Sequence, residues 1–148
     1  MQKTIPIGSD HRGYRLKALF IEWLGAHGYA AKDLGTNSEE RCDALDFARK
    51  MAGEFDSNAA EFGILICGSG QAMAMTANRY KKIRAALCMN VEAARTTREH
   101  NDANVLALGA DFLAPEEALK ILETFLTTKF LGGRYAERRD RLTELGGL

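Results

Sequence analysis

The chain has 148 residues, 46% of them hydrophobic, and carries 20 Lys and Arg against 20 Asp and Glu. That length suits one domain, residues 1–148, with a real core. The zero net charge argues against a nucleic-acid partner, and no apolar run approaches the roughly 18 residues that cross a bilayer. Met1-Gln2-Lys3-Thr4-Ile5 reads as entering a strand directly, not as a signal peptide. Cys42, Cys67 and Cys88 are odd in number and lack C-x-x-C spacing. That usage fits reduced thiols in the cytoplasm and disfavours a disulfide frame or a zinc knuckle.

Strand-like and helix-like segments alternate along the chain. Ile5-Pro6-Ile7-Gly8 is a short first strand with proline near its start. Residues 13–27 read as a helix, with Leu16, Leu19, Phe20, Trp23 and Leu24 at 3/4 spacing and Gly28 as its stop. A weak strand covers 29–34. A second helix covers 43–55, with Ala44, Phe47, Ala48 and Met51 on one face. Phe62 to Ile66 is the strongest strand; it lacks alternation, as a central parallel strand does. Residues 70–80 are expected to be helical, 83–88 a strand, 91–100 a helix and 105–108 a fifth strand stopped by Gly109. Pro115 opens a helix expected to reach Phe130, with Glu116 and Glu117 in its first turn. A last helix, 134–142, holds four arginines and little apolar surface, and is expected to lean on something outside the subunit's own core. The alternation predicts an α/β fold: a parallel sheet with helices on both faces.

Residues 62–78 carry the clearest chemical signal. An apolar strand ends in Cys67, then Gly68-Ser69-Gly70 leads into a helix. Such a turn aims backbone N–H groups and a positive helix end at one point. A thiol placed there suits a base or nucleophile, and the same loop suits an anion. In open parallel sheets ligands sit beyond the carboxyl ends of the strands. Ser9-Asp10-His11, Cys67-Gly68-Ser69-Gly70 and His100-Asn101-Asp102 are all expected there.

Spacing disposes of several sharper readings. A cysteine phosphatase loop needs arginine where Met73 stands. The G-x-G-x-x-G fingerprint fails because Met73 also occupies the third glycine position. A Walker A loop fails because Tyr14 replaces the lysine after Gly13. No nucleophile elbow surrounds Ser69, and His11, His27 and His100 form no metal-ligand pair. Plainer roles stay open: Asp10 as a helix cap, His11 as a loop residue, His100 at a helix C-terminus, Cys42 and Cys88 as packing thiols. Arg134 and Arg138 lie one turn apart and share a face, suiting either a phosphate clamp or solvent.

Gly8-Ser9-Asp10-His11, Ile66-Cys67-Gly68-Ser69-Gly70, Asn78-Arg79, Arg84-Ala85-Ala86, the run from Arg98 to Val105, and Gly132-Gly133-Arg134 fall in one order. That order resembles the ribose-5-phosphate isomerase B family, whose wider group includes the galactose-6-phosphate isomerase subunits. The resemblance implies a Rossmann-like three-layer sandwich with a five-stranded parallel sheet. It implies aldose–ketose isomerisation without metal or other cofactor. It implies Cys67 as the base moving a proton between C1 and C2, and His100 as an aid to ring opening. Asp10 and His11 would hold sugar hydroxyls or phosphate. The amides of Gly68, Ser69, Gly70, Gln71 and Ala72 would stabilise the enediolate with help from Asn101, and Arg134 and Arg138 would bind the phosphate. It further implies a homo-oligomer, a dimer or dimer of dimers, with the C-terminal helix packed on a partner and the site shared between subunits.

The chemistry fits the residues independently. Enolisation needs a base and donors where negative charge develops, and backbone donors of this kind contribute about 3–4 kcal/mol. The chain departs from the family at Ala44, Ala72, Ala74 and Asp111. Asp111 stands where family members carry a phosphate-binding arginine, and a carboxylate there is expected to repel a dianion. Ribose 5-phosphate is the leading substrate. Allose 6-phosphate, a four-carbon ketose phosphate, and a weakly active binding subunit are the alternatives.

Overall fold

Five strands, joined by four segments that each return the chain to the start of the next strand, form an all-parallel sheet in the order β2-β1-β3-β5-β4. A computed structural model describes residues 3–147. Met1 and Gln2, read above as leading into the first strand, lie outside the described residues, as does Leu148. The strands are β1 (Lys3–Ser9), β2 (Tyr29–Asp33), β3 (Gly63–Cys67), β4 (Ala85–Leu87) and β5 (Val105–Gly109). The helices are α1 (Tyr14–Ala26), α2 (Ala44–Asp56), α3 (Gln71–Ala77), α4 (Val91–Asn101), α5 (Pro115–Thr127) and α6 (Arg134–Glu144).

Successive strand residues face opposite sides, and each side has its own core. Ile5, Ile7, Ile64, Ile66, Leu106 and Leu108 pack with residues of α1, α4 and α5, including Phe20 and Phe125. Leu65, Cys67, Val105 and Ala107 pack with α2 and α3, through Phe47, Met51 and Met73. Both faces are covered, giving three layers, so β3 has no reason to alternate and all its residues are buried. Each large apolar side chain sealed this way contributes about 1.5–3 kcal/mol.

The boundaries differ from expectation where local chemistry intervenes. α5 stops at Thr127 instead of Phe130. There the hydroxyls of Thr127 and Thr128 bond back to the carbonyls of Glu123 and Thr124, at 2.8 and 2.6 Å, the back-bonding that weakens a helix. β4 spans only Ala85–Leu87 at the sheet edge. α1 buries Lys17 beside Leu16, Phe20 and Leu24. The Lys17 ammonium, 2% exposed, is paired with Asp33 at 2.5 Å and donates to the Thr36 carbonyl at 2.8 Å. Without those partners its burial would be prohibitive.

α3 starts at Gln71, with Gly70 as its N-cap in the left-handed region at φ 77°. A Cβ at Gly70 would also lie 2.5 Å from Leu87 Cδ1 and 2.8 Å from the Leu108 carbonyl carbon. Gly70→Ala is therefore expected to cost about 2–4 kcal/mol, combining left-handed backbone strain with overpacking. Urea denaturation checks it: a midpoint equal to wild type would refute the clash.

Candidate active site

The sheet order reverses between β1 and β3: β1 leads outward to β2, while β3 borders β5. Open α/β sheets have their ligand crevice at such a point, outside the carboxyl ends. Ser9-Asp10-His11 leaves β1 on one side of it, and Cys67-Gly68-Ser69-Gly70 leaves β3 on the other. The sequence reading of these two clusters agrees with where the chain puts them.

Asp10 is buried and its carboxylate is partly committed. Oδ1 accepts from the amides of Arg12 at 2.9 Å and Gly13 at 3.1 Å. It thus shapes the turn into α1, while α1's own N-cap is Gly13. Oδ2 lies 4.0 Å from His11 Nδ1. His11 Nδ1 also accepts from the Cys42 amide at 3.3 Å, so the neutral ring carries its proton on Nε2. Cys67 is 4% exposed, and its Sγ accepts from the Gly70 amide at 3.1 Å. The Gln71 amide donates to Ser69 Oγ at 3.3 Å. Two of the five amides expected to face substrate are therefore bonded within the loop. Ala72 lies in the first turn of α3.

Asp111 does not stand as an isolated negative charge. It lies in the short 3-10 turn Ala110–Phe112 after β5. Its amide donates to the Gly68 carbonyl at 3.0 Å, and its Oδ2 pairs with Arg12 Nη1 at 2.5 Å. The expected repulsion of a dianion is offset by this guanidinium. Nothing in the spacing announces the pair, because the two residues are 99 positions apart.

His100-Asn101-Asp102 lies elsewhere than expected. α4 leaves the carboxyl end of β4 and runs back to the amino end of β5, so its last residues sit at the amino edge of the sheet. The neighbouring contacts agree: the Asp102 carbonyl accepts from Arg84 Nε at 2.8 Å, just before β4. The Asn104 carbonyl accepts from the Gly63 amide at 2.9 Å, at the start of β3. From Val105 to Gly109, β5 spans about 13 Å at ~3.3 Å per residue. Cys67 and His100 are on opposite edges of the sheet.

His100 has company of its own. Its ring stacks on Tyr135 of α6, centroids 4.4 Å apart and planes within 12°. The guanidinium carbons of Arg134 and Arg138 lie 4.9 and 5.8 Å from the same tyrosine ring. Arg134 Nη2 donates to the Tyr135 hydroxyl at 2.9 Å. Tyr135 thus gathers the histidine and both arginines, a part the sequence reading missed; its signal was one aromatic ring in an arginine-rich helix. Asn101 accepts from Thr97 Oγ1 at 3.4 Å and lines a cleft of ≈ 380 Å³ between α4 and the end of α6.

Asp102 anchors this cluster. Its carboxylate meets Arg98 at 2.8 Å, Arg139 at 3.0 Å and Arg84 at 3.5 Å. Arg98 is buried against Phe62, 4.9 Å from its ring. Burial pulls Arg84 below the ordinary guanidinium range, opposed by Asp102. The hydrogen bond to Asp102 holds Arg139 above it, with a second from Asp140.

The other thiols fit packing. Cys88 is 1% exposed, and burial pushes it up to about 12. Cys42 is half-buried beside the α2–α3 core. His27, at the end of α1, stacks on Trp23 at 3.9 Å. Among the described residues, no group of three or more His, Cys, Asp or Glu side chains could hold a metal ion, and no helix is long and apolar enough to cross a membrane.

Taken together, the fold and its crevice define an open parallel α/β protein that presents a thiol, a buried carboxylate and a glycine loop to a small polar ligand. The chain matches the Ribose/Galactose Isomerase family over residues 5–142 and belongs to it. It is 36% identical to ribose-5-phosphate isomerase B of Escherichia coli over 143 residues, covering 97% of this chain and 96% of that one. A ribose 5-phosphate isomerase from Thermotoga maritima has the same fold at a TM-score of 0.94 and 43% identity, covering 98% of this chain and 100% of the other. The enzyme from Mycoplasma genitalium with bound ribulose-5-phosphate matches at a TM-score of 0.92 and 38% identity, covering 97% and 96%.

Proposed function

We infer that this protein interconverts aldose and ketose sugar phosphates, with ribose 5-phosphate and ribulose 5-phosphate as its pair. The observation that carries this is family membership over nearly the whole chain, joined to a cysteine and glycine loop at the switch-point crevice. The relative from Mycoplasma genitalium holds ribulose-5-phosphate, a product of this chemistry.

The Cys67 thiolate takes the proton from C2 of the open-chain aldose. The electrons form the enediolate, and the proton returns to C1 while a proton passes from O2 to O1. Unbonded amides of the loop from Gly68 to Ala72 and Asn101 stabilise the intermediate. Asp10 and His11 hold sugar hydroxyls, His100 assists ring opening, and Arg134 and Arg138 bind the phosphate. The reduced thiols suit the cytoplasm.

One subunit does not bring these groups together, since His100, Asn101 and the arginines lie at the far edge of the sheet. We therefore propose a homo-oligomer, a dimer or dimer of dimers, in which a second copy presents its His100 edge to this copy's crevice. Large exposed apolar side chains on the elements around the carboxyl edge support it: Met75 is 63% exposed, Phe112 61% and Met89 48%.

The test is turnover by purified protein of a panel holding ribose 5-phosphate, allose 6-phosphate and a four-carbon ketose phosphate. Ribose 5-phosphate is expected to give the highest kcat/KM. A higher value for another member reassigns the substrate, and no turnover of any member overturns the isomerase reading.

A further inference from the structure

We propose that Arg12 is a substrate-binding residue: its guanidinium, held over Gly68 by Asp111, receives the anionic end of the substrate on the Cys67 side of the site. This rests on the sugar-phosphate reading above. Arg12 follows Asp10 and His11 directly, and its amide is fixed by Asp10 Oδ1 at 2.9 Å. A Cβ placed on Gly68 would come within 2.8 Å of both Arg12 Cδ and Asp111 Oδ2. The ion pair therefore lies against the backbone of the residue next to Cys67. It straps the turns after β1 and β5 across the loop after β3.

The pair is built to present a cation. A guanidinium has five N–H donors, and the bond to Asp111 engages Nη1 alone. The Arg12 side chain remains 60% exposed, so its other donors are open to a ligand. The planar fork matches a phosphate bidentately. Asp111 acts as a positioning residue: it fixes a long, flexible side chain before substrate arrives, reducing the ordering cost of binding. Arg134 and Arg138 sit on the opposite edge and reach this crevice only from a second copy. Arg12 is the cation that the Cys67-bearing subunit itself lays against the glycine loop.

The experiment is steady-state kinetics of Arg12→Gln and Arg12→Lys beside wild type, with inorganic phosphate as a competitive inhibitor. In Arg12→Gln the KM for ribose 5-phosphate and the inhibition constant of phosphate are both expected to rise about tenfold. The value of kcat should change less than about threefold, because the phosphate does not react. Arg12→Lys should fall between, keeping the charge without the fork. The effects of Asp111→Asn and Arg12→Gln on KM are expected to be non-additive, and additive effects would overturn the positioning role of Asp111. Wild-type turnover with an unchanged KM and phosphate inhibition constant in Arg12→Gln overturns this proposal and leaves the isomerase reading intact. Absence of turnover by wild type overturns both.

Discussion

Cys67→Ala should lose about 10³-fold or more in kcat while keeping its fold, since a positioned general acid–base group contributes about 10²–10⁴. The thiol ends a fully buried strand and touches the Gly70 amide. Alanine removes one sulfur at a turn whose shape is set by Gly68 and Gly70. The stability cost is about 1 kcal/mol, in the range of small core truncations. Loss of activity with an unchanged circular dichroism spectrum would separate chemistry from folding. Near-normal turnover by the alanine variant would sink the assignment of the base.

Mixing two inactive variants should restore activity. Cys67→Ala damages the carboxyl-edge half of the site, and His100→Ala the amino-edge half. In a symmetric dimer with two shared sites, a mixed pair has one site with both defects and one with neither. Random exchange at equal amounts makes about half the dimers mixed, so recovery approaches about a quarter of wild-type activity. Topology separates the two groups: α4 must return to the amino end of β5, which leaves His100 a strand's length from Cys67. Recovery no greater than the sum of the two parents would mean that each site is complete within one subunit.

Much of this fold was readable from the chain. Phe62 to Ile66 announced a central parallel strand because both sheet faces are covered. Pro115 with Glu116 and Glu117 marked the start of α5 where it occurs. The crevice residues Asp10, His11 and Cys67 followed from the rule that parallel sheets bind ligands at their carboxyl ends. The same rule was misapplied to His100, although the signal was present: a helix between parallel strands ends at the amino edge. Other features depend on partners far away in sequence. A helical pattern has no place for a buried Lys17, because Asp33, 16 residues on, is what permits it. Asp111 read as a charge that would repel a dianion, and Arg12 drew no reading, until the turns after β1 and β5 bring the two into contact. Tyr135 acquires its part only when α6 lies along α4.

α6 buries none of its residues. It is moored by the Arg139–Asp102 pair, by the Tyr135 stack on His100, and by Arg139 over the Phe130 ring at 4.9 Å. With so little apolar area sealed, it belongs among the segments with the smallest local opening free energy, whereas β3 belongs among those with the largest. The arginines proposed for the phosphate thus ride on a helix that buries none of its residues, and the proposed base on a fully buried strand. In the proposed oligomer, a phosphate and a neighbouring subunit that both engage the docked form of α6 would draw on one ordering cost. Whichever arrives first meets that cost, and by reciprocity each then strengthens the other's hold.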